Sequence, residues 1–229
     1  MVHEEVARVS SEKDGGNKMS YYTEEDDVTK YWDSRYVEWD KTPDLGVFQF
    51  KDNWAETRFR HILGEPKMRG SMVLDYGCGN TLYSPFLMRR FASYFGVDTS
   101  PTALEIADKF VGSKMSADDK ARYHPSLIQR GEKLPFADAI FDCVFTVTVL
   151  QHQPIPERVR LISELKRVLK PNGQYVGLEM MGGTLAFDMP PMLEEEWKNE
   201  WLPFIIVKDY PPEHPEWHAD NVWYTKGRE

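Results

Sequence analysis

Cysteine is nearly absent: the 229 residues include two, Cys78 and Cys143. Two isolated thiols do not make the framework of a disulfide-stapled secreted fold, so a reducing compartment, the cytoplasm, is expected. Long apolar runs are missing too. No stretch of 18 apolar residues occurs and the first residues carry no leader-like apolar segment, so neither membrane spanning nor secretion is expected. Positive charge is in deficit, with 28 Lys plus Arg against 37 Asp plus Glu and a formal net charge of −9. Without a basic stripe, nucleic acid is not an expected partner. A G-x-x-x-x-G-K-[ST] phosphate loop is lacking. His214 and His218 are spaced like a metal pair, but Pro211, Pro212 and Pro215 break the helix that would make that spacing useful, and no metal is expected.

What is present is 41% apolar residues, enough for one domain with a sizeable core. The informative stretch is Val73-Leu74-Asp75-Tyr76-Gly77-Cys78-Gly79-Asn80, followed by Gly96-Val97-Asp98-Thr99-Ser100. It reads as an apolar strand, a glycine-rich turn, a helix, and a second strand ending in an acid. Asp98 follows Gly79 by nineteen positions, close to the roughly 20-residue separation that brings an acid to a nucleotide ribose. Its carboxylate can accept from both ribose hydroxyls. A dinucleotide fingerprint requires a third glycine, and Leu82 stands there instead. Asp75, just before the first glycine, would repel a pyrophosphate but can hold an ammonium or order the loop amides. The plainer alternative for the glycines is an ordinary strand-to-helix turn.

Residues 1–18 are polar and read as a disordered tail; 19–229 read as a single domain. Residues 19–68, rich in aromatics such as Tyr31, Trp32, Tyr36, Phe48 and Trp54, form an N-terminal cap segment ahead of the sheet. Strands are expected at 72–76, 94–98, 126–130, 141–147 and 174–180, apolar enough for a parallel sheet covered on both faces. Ser100-Pro101 is a helix start. Residues 157–170 repeat apolar side chains at Val159, Ile162, Leu165 and Leu169, ended by Pro171-Asn172-Gly173. Residues 182–203 read as a lid-like insertion, and 204–208 with 221–225 as a closing hairpin.

Leu74-Asp75-Tyr76-Gly77-Cys78-Gly79 resembles the first motif of the class I S-adenosylmethionine-dependent methyltransferases. The resemblance continues through Glu132-Lys133-Leu134-Pro135-Phe136, Phe141-Asp142-Cys143-Val144-Phe145, Val149-Leu150-Gln151-His152 and Leu165-Lys166-Arg167-Val168-Leu169-Lys170-Pro171-Asn172-Gly173. It implies an α/β fold: a Rossmann-like, doubly wound, seven-stranded, mostly parallel sheet with an antiparallel last strand, here with an N-terminal helical aromatic cap. The implied cofactor is S-adenosylmethionine, with S-adenosylhomocysteine as product and no metal. Asp75, Gly77, Cys78 and Gly79 would take its methionine end, Asp98 the ribose, and Thr99 and Glu132 the adenine. Where many members carry an Asp ahead of Leu-Pro-Phe, this chain has Arg130, so backbone groups of Gly131 and Glu132 would recognise adenine. Thr146 would lie near the sulfonium, or is simply a strand former. Trp32-Asp33-Ser34-Arg35-Tyr36 resembles the entry segment of thiol and thiopurine methyltransferases, which places Trp32 and Tyr36 over the methionine moiety; plain core packing is the alternative.

His152 is the candidate general base, with a pKa near neutrality, and Glu179 a candidate for orienting the acceptor. Each has a duller reading, as a helix-entry histidine and a solvated loop acid. The leading expectation is methyl transfer to an N, O or S atom of a small molecule. A protein lysine or terminal amine as acceptor is an alternative, as is a non-catalytic cofactor-binding protein.

Overall fold

The computed structural model describes residues 28–41, 67–81, 83–153, 155–180 and 220–225. Six strands, β1 Lys67–Tyr76, β2 Phe91–Asp98, β3 Tyr123–Leu127, β4 Phe141–Val147, β5 Leu169–Met180 and β6 Asp220–Thr225, lie in the order β3-β2-β1-β4-β5-β6. The first five run parallel, and β6 pairs antiparallel with β5. Parallel neighbours require crossovers. These contain α2 Ser84–Met88, α3 Pro101–Lys114, α4 Ala117–Lys120 and α5 Ile155–Val168, while α1 Val28–Lys41 precedes the sheet.

Two clusters show that both sheet faces are covered. Val73, Tyr94, Cys143, Phe145 and Val176 pack with Phe86 and Leu87 of α2 and Val111 of α3. Leu74, Val97, Val144 and Tyr175 pack with Leu161, Ile162, Leu165 and Val168 of α5. Alternate residues of each strand thus serve opposite layers, and each buried large side chain contributes about 1.5–3 kcal/mol. This is a Rossmann-like α/β arrangement. The strand order reverses between β1 and β4, and in such sheets ligands bind at the carboxyl ends of the two strands flanking that point.

Several local expectations shift. The edge strand β3 begins at Tyr123 rather than 126, because Tyr123 pairs with Tyr94 and Leu127 with Asp98, and the Tyr123 and Tyr94 rings stack at 5.5 Å. The buried stripe of α5 runs through Arg158, Leu161, Ile162, Leu165 and Val168, leaving Val159 exposed. Arg158 can occupy that stripe because its Nε donates to the Gln153 carbonyl at 2.7 Å. The turn at Pro171-Asn172-Gly173 falls inside β5: Phe141 pairs with Leu169 but Cys143 with Gln174, so the intervening residues bulge out. Among the described residues the sheet has six strands; the expected strand at 204–208, the 182–203 insertion, the 1–18 tail and most of 19–68 lie outside them. No helix among the described residues is long and apolar enough to cross a membrane.

Ser100 caps α3, its hydroxyl accepting from the Ala103 amide at 3.0 Å, with Pro101 at the first helical position. The same hydroxyl donates to Asp33 of α1 at 2.7 Å. Ser100→Ala removes both bonds and is expected to destabilise the fold by about 1–2 kcal/mol in denaturant unfolding.

Candidate functional site at the sheet switch point

The turn after β1 is stitched to the tip of β2. The amides of Gly77 and Cys78 both donate to the Val97 carbonyl, at 2.8 and 3.1 Å. The Gly79 amide donates to Asp98 Oδ2 at 2.8 Å, and the Ser100 amide to Asp98 Oδ1 at 2.9 Å. One carboxylate therefore fixes the glycine turn and the start of α3 together. Gly77 has φ +69°, and a Cβ there would lie 2.5 Å from a methyl of Val149. Gly79 has φ +52°, and a Cβ there would overlap the Tyr36 hydroxyl. Both positions need glycine for conformation and for space. Two β-branched residues beside the crevice, Thr81 (φ 59°) and Thr148 (φ 53°), also adopt the left-handed region. Such strain concentrates at functional sites, at roughly 1–3 kcal/mol each.

Asp75 lies on β1 directly beside Gly96 of β2 and Phe145 of β4. Its Oδ2 accepts the Tyr94 phenol proton at 2.7 Å rather than loop amides. Burial, with the nearby Asp98 charge adding to it, pushes its pKa up to about 7 despite the Tyr94 bond. Burial also raises Asp98, while the amides of Ser100, Gly79 and Thr99 pull it back. Among the described residues neither acid has a basic partner. The Cys78 thiol, buried beside them, is pushed well above its ordinary value and stays protonated. Among the described residues no three metal-ligating side chains cluster.

Helix α1 meets this corner of the sheet. Asp33 Oδ1 accepts from the Ser100 hydroxyl at 2.7 Å and from the Thr102 amide at 3.0 Å. A carboxylate at the first turn of α3 also meets the positive end of that helix. Three residues on, Tyr36 brings its hydroxyl over Gly79, and burial followed by the Asp98 charge keeps that phenol protonated. Trp32 meets the His152 ring edge-on at 4.7 Å between centroids. Trp32 and Tyr36 thus reach the two strand ends flanking the switch point. Asp33 carries no sequence signal of this role: an acid in a polar helix reads as solvated until its partner, sixty-seven residues away, is known.

The remaining candidates divide. His152 closes the 3₁₀ turn after β4 and is buried. Desolvation, then repulsion by the buried Arg158, lowers its pKa to about 4, so the expected near-neutral value is not found and the imidazole is neutral at pH 7. Thr146 is buried, its hydroxyl hydrogen-bonded to the Tyr175 phenol at 2.7 Å. Tyr175, and Val144 two residues before Thr146 on β4, pack in the α5 layer. Thr99 follows Asp98 and is partly exposed; Gly131 (φ +82°) and Glu132 lie in the exposed loop after β3. That loop starts beside Asp98, since the Ile128 amide donates to the Asp98 carbonyl at 3.0 Å. The backbone of Glu179 pairs with Asn221 of β6, at the same carboxyl end of the sheet.

Residues 74–177 match the family model of a methyltransferase domain. The chain is 36% identical over 107 residues to the mitochondrial ubiquinone biosynthesis O-methyltransferase of Schizosaccharomyces pombe, covering 47% of this chain and 37% of that protein. It is 33% identical over 161 residues to the tRNA U34 carboxymethyltransferase of Trichlorobacter lovleyi, covering 69% of this chain and 47% of that one. The chain thus spans half the length or less of these two relatives. A solved S-adenosylmethionine-dependent methyltransferase from Anabaena variabilis shares the fold with a TM-score of 0.64 at 18% identity, over 93% of this chain and 100% of that one. Residues 74–177 thus carry a methyltransferase-type domain, and the described chain has the fold seen in that S-adenosylmethionine-dependent methyltransferase structure.

Asp75 and His152 make opposite contributions to pH-dependent stability. The raised Asp75 pKa stabilises the fold below about pH 3.8, and this is lost as pH rises through about 7. The lowered His152 pKa gives stability present above about pH 6.5 and lost as pH falls toward 4. Asp75→Asn is therefore expected to gain stability relative to the unaltered protein as pH rises from about 4 to 7, by up to about 4 kcal/mol in urea unfolding. Asp33→Ala is expected to speed amide exchange across α1 about tenfold while β1 and β4 stay protected.

Proposed function

We propose that this protein transfers the methyl group of S-adenosylmethionine to an N, O or S atom of a small-molecule acceptor. The observation that carries the reading is the pair of buried acids, Asp75 and Asp98, flanking a glycine turn with hydrogen-bond donors but no basic partner among the described residues. A ligand with a ribose, an ammonium and a sulfonium suits that donor set; a pyrophosphate does not. The Asp98 oxygens accept the Gly79 and Ser100 amides, with the Thr99 amide also drawn to them, and keep acceptor capacity for a ribose hydroxyl. Asp75, Gly77, Cys78 and Gly79 would hold the methionine end, and Thr99, Gly131 and Glu132 the adenine. Bound there, the sulfonium supplies an electrophilic methyl group.

The chain's own residues then position and shield. Trp32 and Tyr36 of α1 cover the crevice and exclude water, and orientation of two reactants in such a site is worth effective molarities of about 10⁵–10⁸ M. His152, neutral at pH 7, can accept an acceptor's proton, and its low pKa makes it an orienting hydrogen-bond partner more than a strong base. Glu179 would attract a cationic amine. The bond of Thr146 to Tyr175 favours a structural part for it, away from the sulfonium. The small-molecule reading is supported by the helix seated over the crevice, by the acidic balance of the chain and by the ubiquinone-pathway relative. We place the enzyme in the cytoplasm. A protein amine or, as the tRNA-modifying relative suggests, an RNA acceptor is the other outcome of an acceptor screen.

Incubation with methyl-labelled S-adenosylmethionine and fractionated extract is expected to label a small molecule; label in protein or RNA would move the acceptor class. Asp98→Ala is expected to weaken S-adenosylhomocysteine binding by about 1.5–3 kcal/mol in calorimetry, and unchanged affinity in a folded variant would remove the ribose assignment.

A further inference from the structure

Helix α5 carries Glu157, Arg160, Glu164 and Arg167, two Glu–Arg pairs at i, i+3 repeated after seven residues. Seven residues are about two turns, so the pairs share one helix face about 10 Å apart. They face the segment between β3 and β4, residues 128–140, which has no regular secondary structure. The backbone polar groups of such a segment need partners, and α5 supplies them. Arg160, paired to Glu157 at 2.6 Å, donates to the Glu132 carbonyl at 3.0 Å. The Gly131 amide lies against the Glu157 carboxylate; burial there would raise the acid, and Arg160 with this amide holds it low instead. Glu164 accepts the Leu134 amide at 2.9 Å. Arg167, paired to Glu164 at 2.8 Å, donates to the Leu134, Phe136 and Asp138 oxygens at 3.1, 2.8 and 2.7 Å.

We propose that these two pairs are the positioning device for nucleobase recognition: Glu157–Arg160 sets the Gly131–Glu132 backbone against the base, and Glu164–Arg167 anchors the rest of the segment. The inference rests on the cofactor reading above. The segment begins where Ile128 bonds the Asp98 carbonyl, so a base attached to a ribose held by Asp98 lies beside it. By the family resemblance Arg130 stands where many members carry an Asp, so the reading above gives the base to backbone groups. Backbone groups discriminate bases only when held to within about 0.5 Å, and charge-assisted bonds from partly buried side chains supply that rigidity.

The test compares Arg160→Gln, Glu157→Gln and Arg167→Gln with the unaltered protein in two measurements. The first is calorimetric affinity for S-adenosylhomocysteine and for its inosine counterpart, which differs at the base edge alone. The second is amide exchange over 129–138 without ligand. Arg160→Gln and Glu157→Gln are expected to weaken the adenine compound five- to twentyfold, shrink the adenine-to-inosine preference at least fivefold, and deprotect 131–132. Arg167→Gln deprotects 134–138 with a smaller loss of preference. A folded Arg160→Gln or Glu157→Gln protein that keeps the full preference overturns the inference while leaving the cofactor reading intact. If the unaltered protein binds neither compound, the cofactor reading fails and this inference with it.

Discussion

The Asp98 carboxylate is the constraint from which the rest of the site follows. It sits at the tip of β2, accepts the amide of the glycine turn after β1 with one oxygen and the amide that opens α3 with the other. Removing it would leave two buried donors unsatisfied, a cost of about 1–3 kcal/mol each. The neighbouring Ser100 caps α3 and bonds Asp33, so α1 is attached to the same corner. Turn, helix start and α1 are therefore not independently placed; they converge on one acid.

A second consequence is electrostatic. Burial and the Asp98 charge raise Asp75, and burial with the Asp33 charge raises Asp98, without a cation among the described residues to relieve the pair. An unliganded protein holds such a pair at a cost, and a positively charged ligand recovers it. The strained Thr81 and Thr148 belong to the same corner. Stability is given up around the crevice, and the packed layers beneath, with fully buried Val73, Leu74, Val144 and Leu165, compensate for it.

Much of this was legible in the residues. Strand β4 and the Ser100-Pro101 helix start follow from local pattern and capping chemistry, and the glycine turn with Asp98 follows from spacing. The position of β3 was less legible, because an edge strand takes its register from its neighbour, here Tyr94 on Tyr123, rather than from its own composition. The expected stripe holds at Ile162, Leu165 and Leu169 but not at Val159, whose place is taken by Arg158, which reaches a core position by bonding its head group to the backbone. His152 is recognisable as a site residue, but its pKa depends on burial, with Trp32 of a distant segment against its ring, and on the charge of Arg158 six residues on. Asp33 and the two Glu–Arg pairs were invisible for the same reason: a charged residue on a helix declares its role only once its partner is known.

The most direct measurement of the account is a crystal structure of the protein grown with S-adenosylhomocysteine. Ribose hydroxyls are expected within hydrogen-bond distance of Asp98, with the Gly79 and Ser100 bonds retained, and an ammonium on the Asp75 side of the turn. A nucleoside lying elsewhere, or a crevice that takes a nicotinamide dinucleotide in preference, would contradict it.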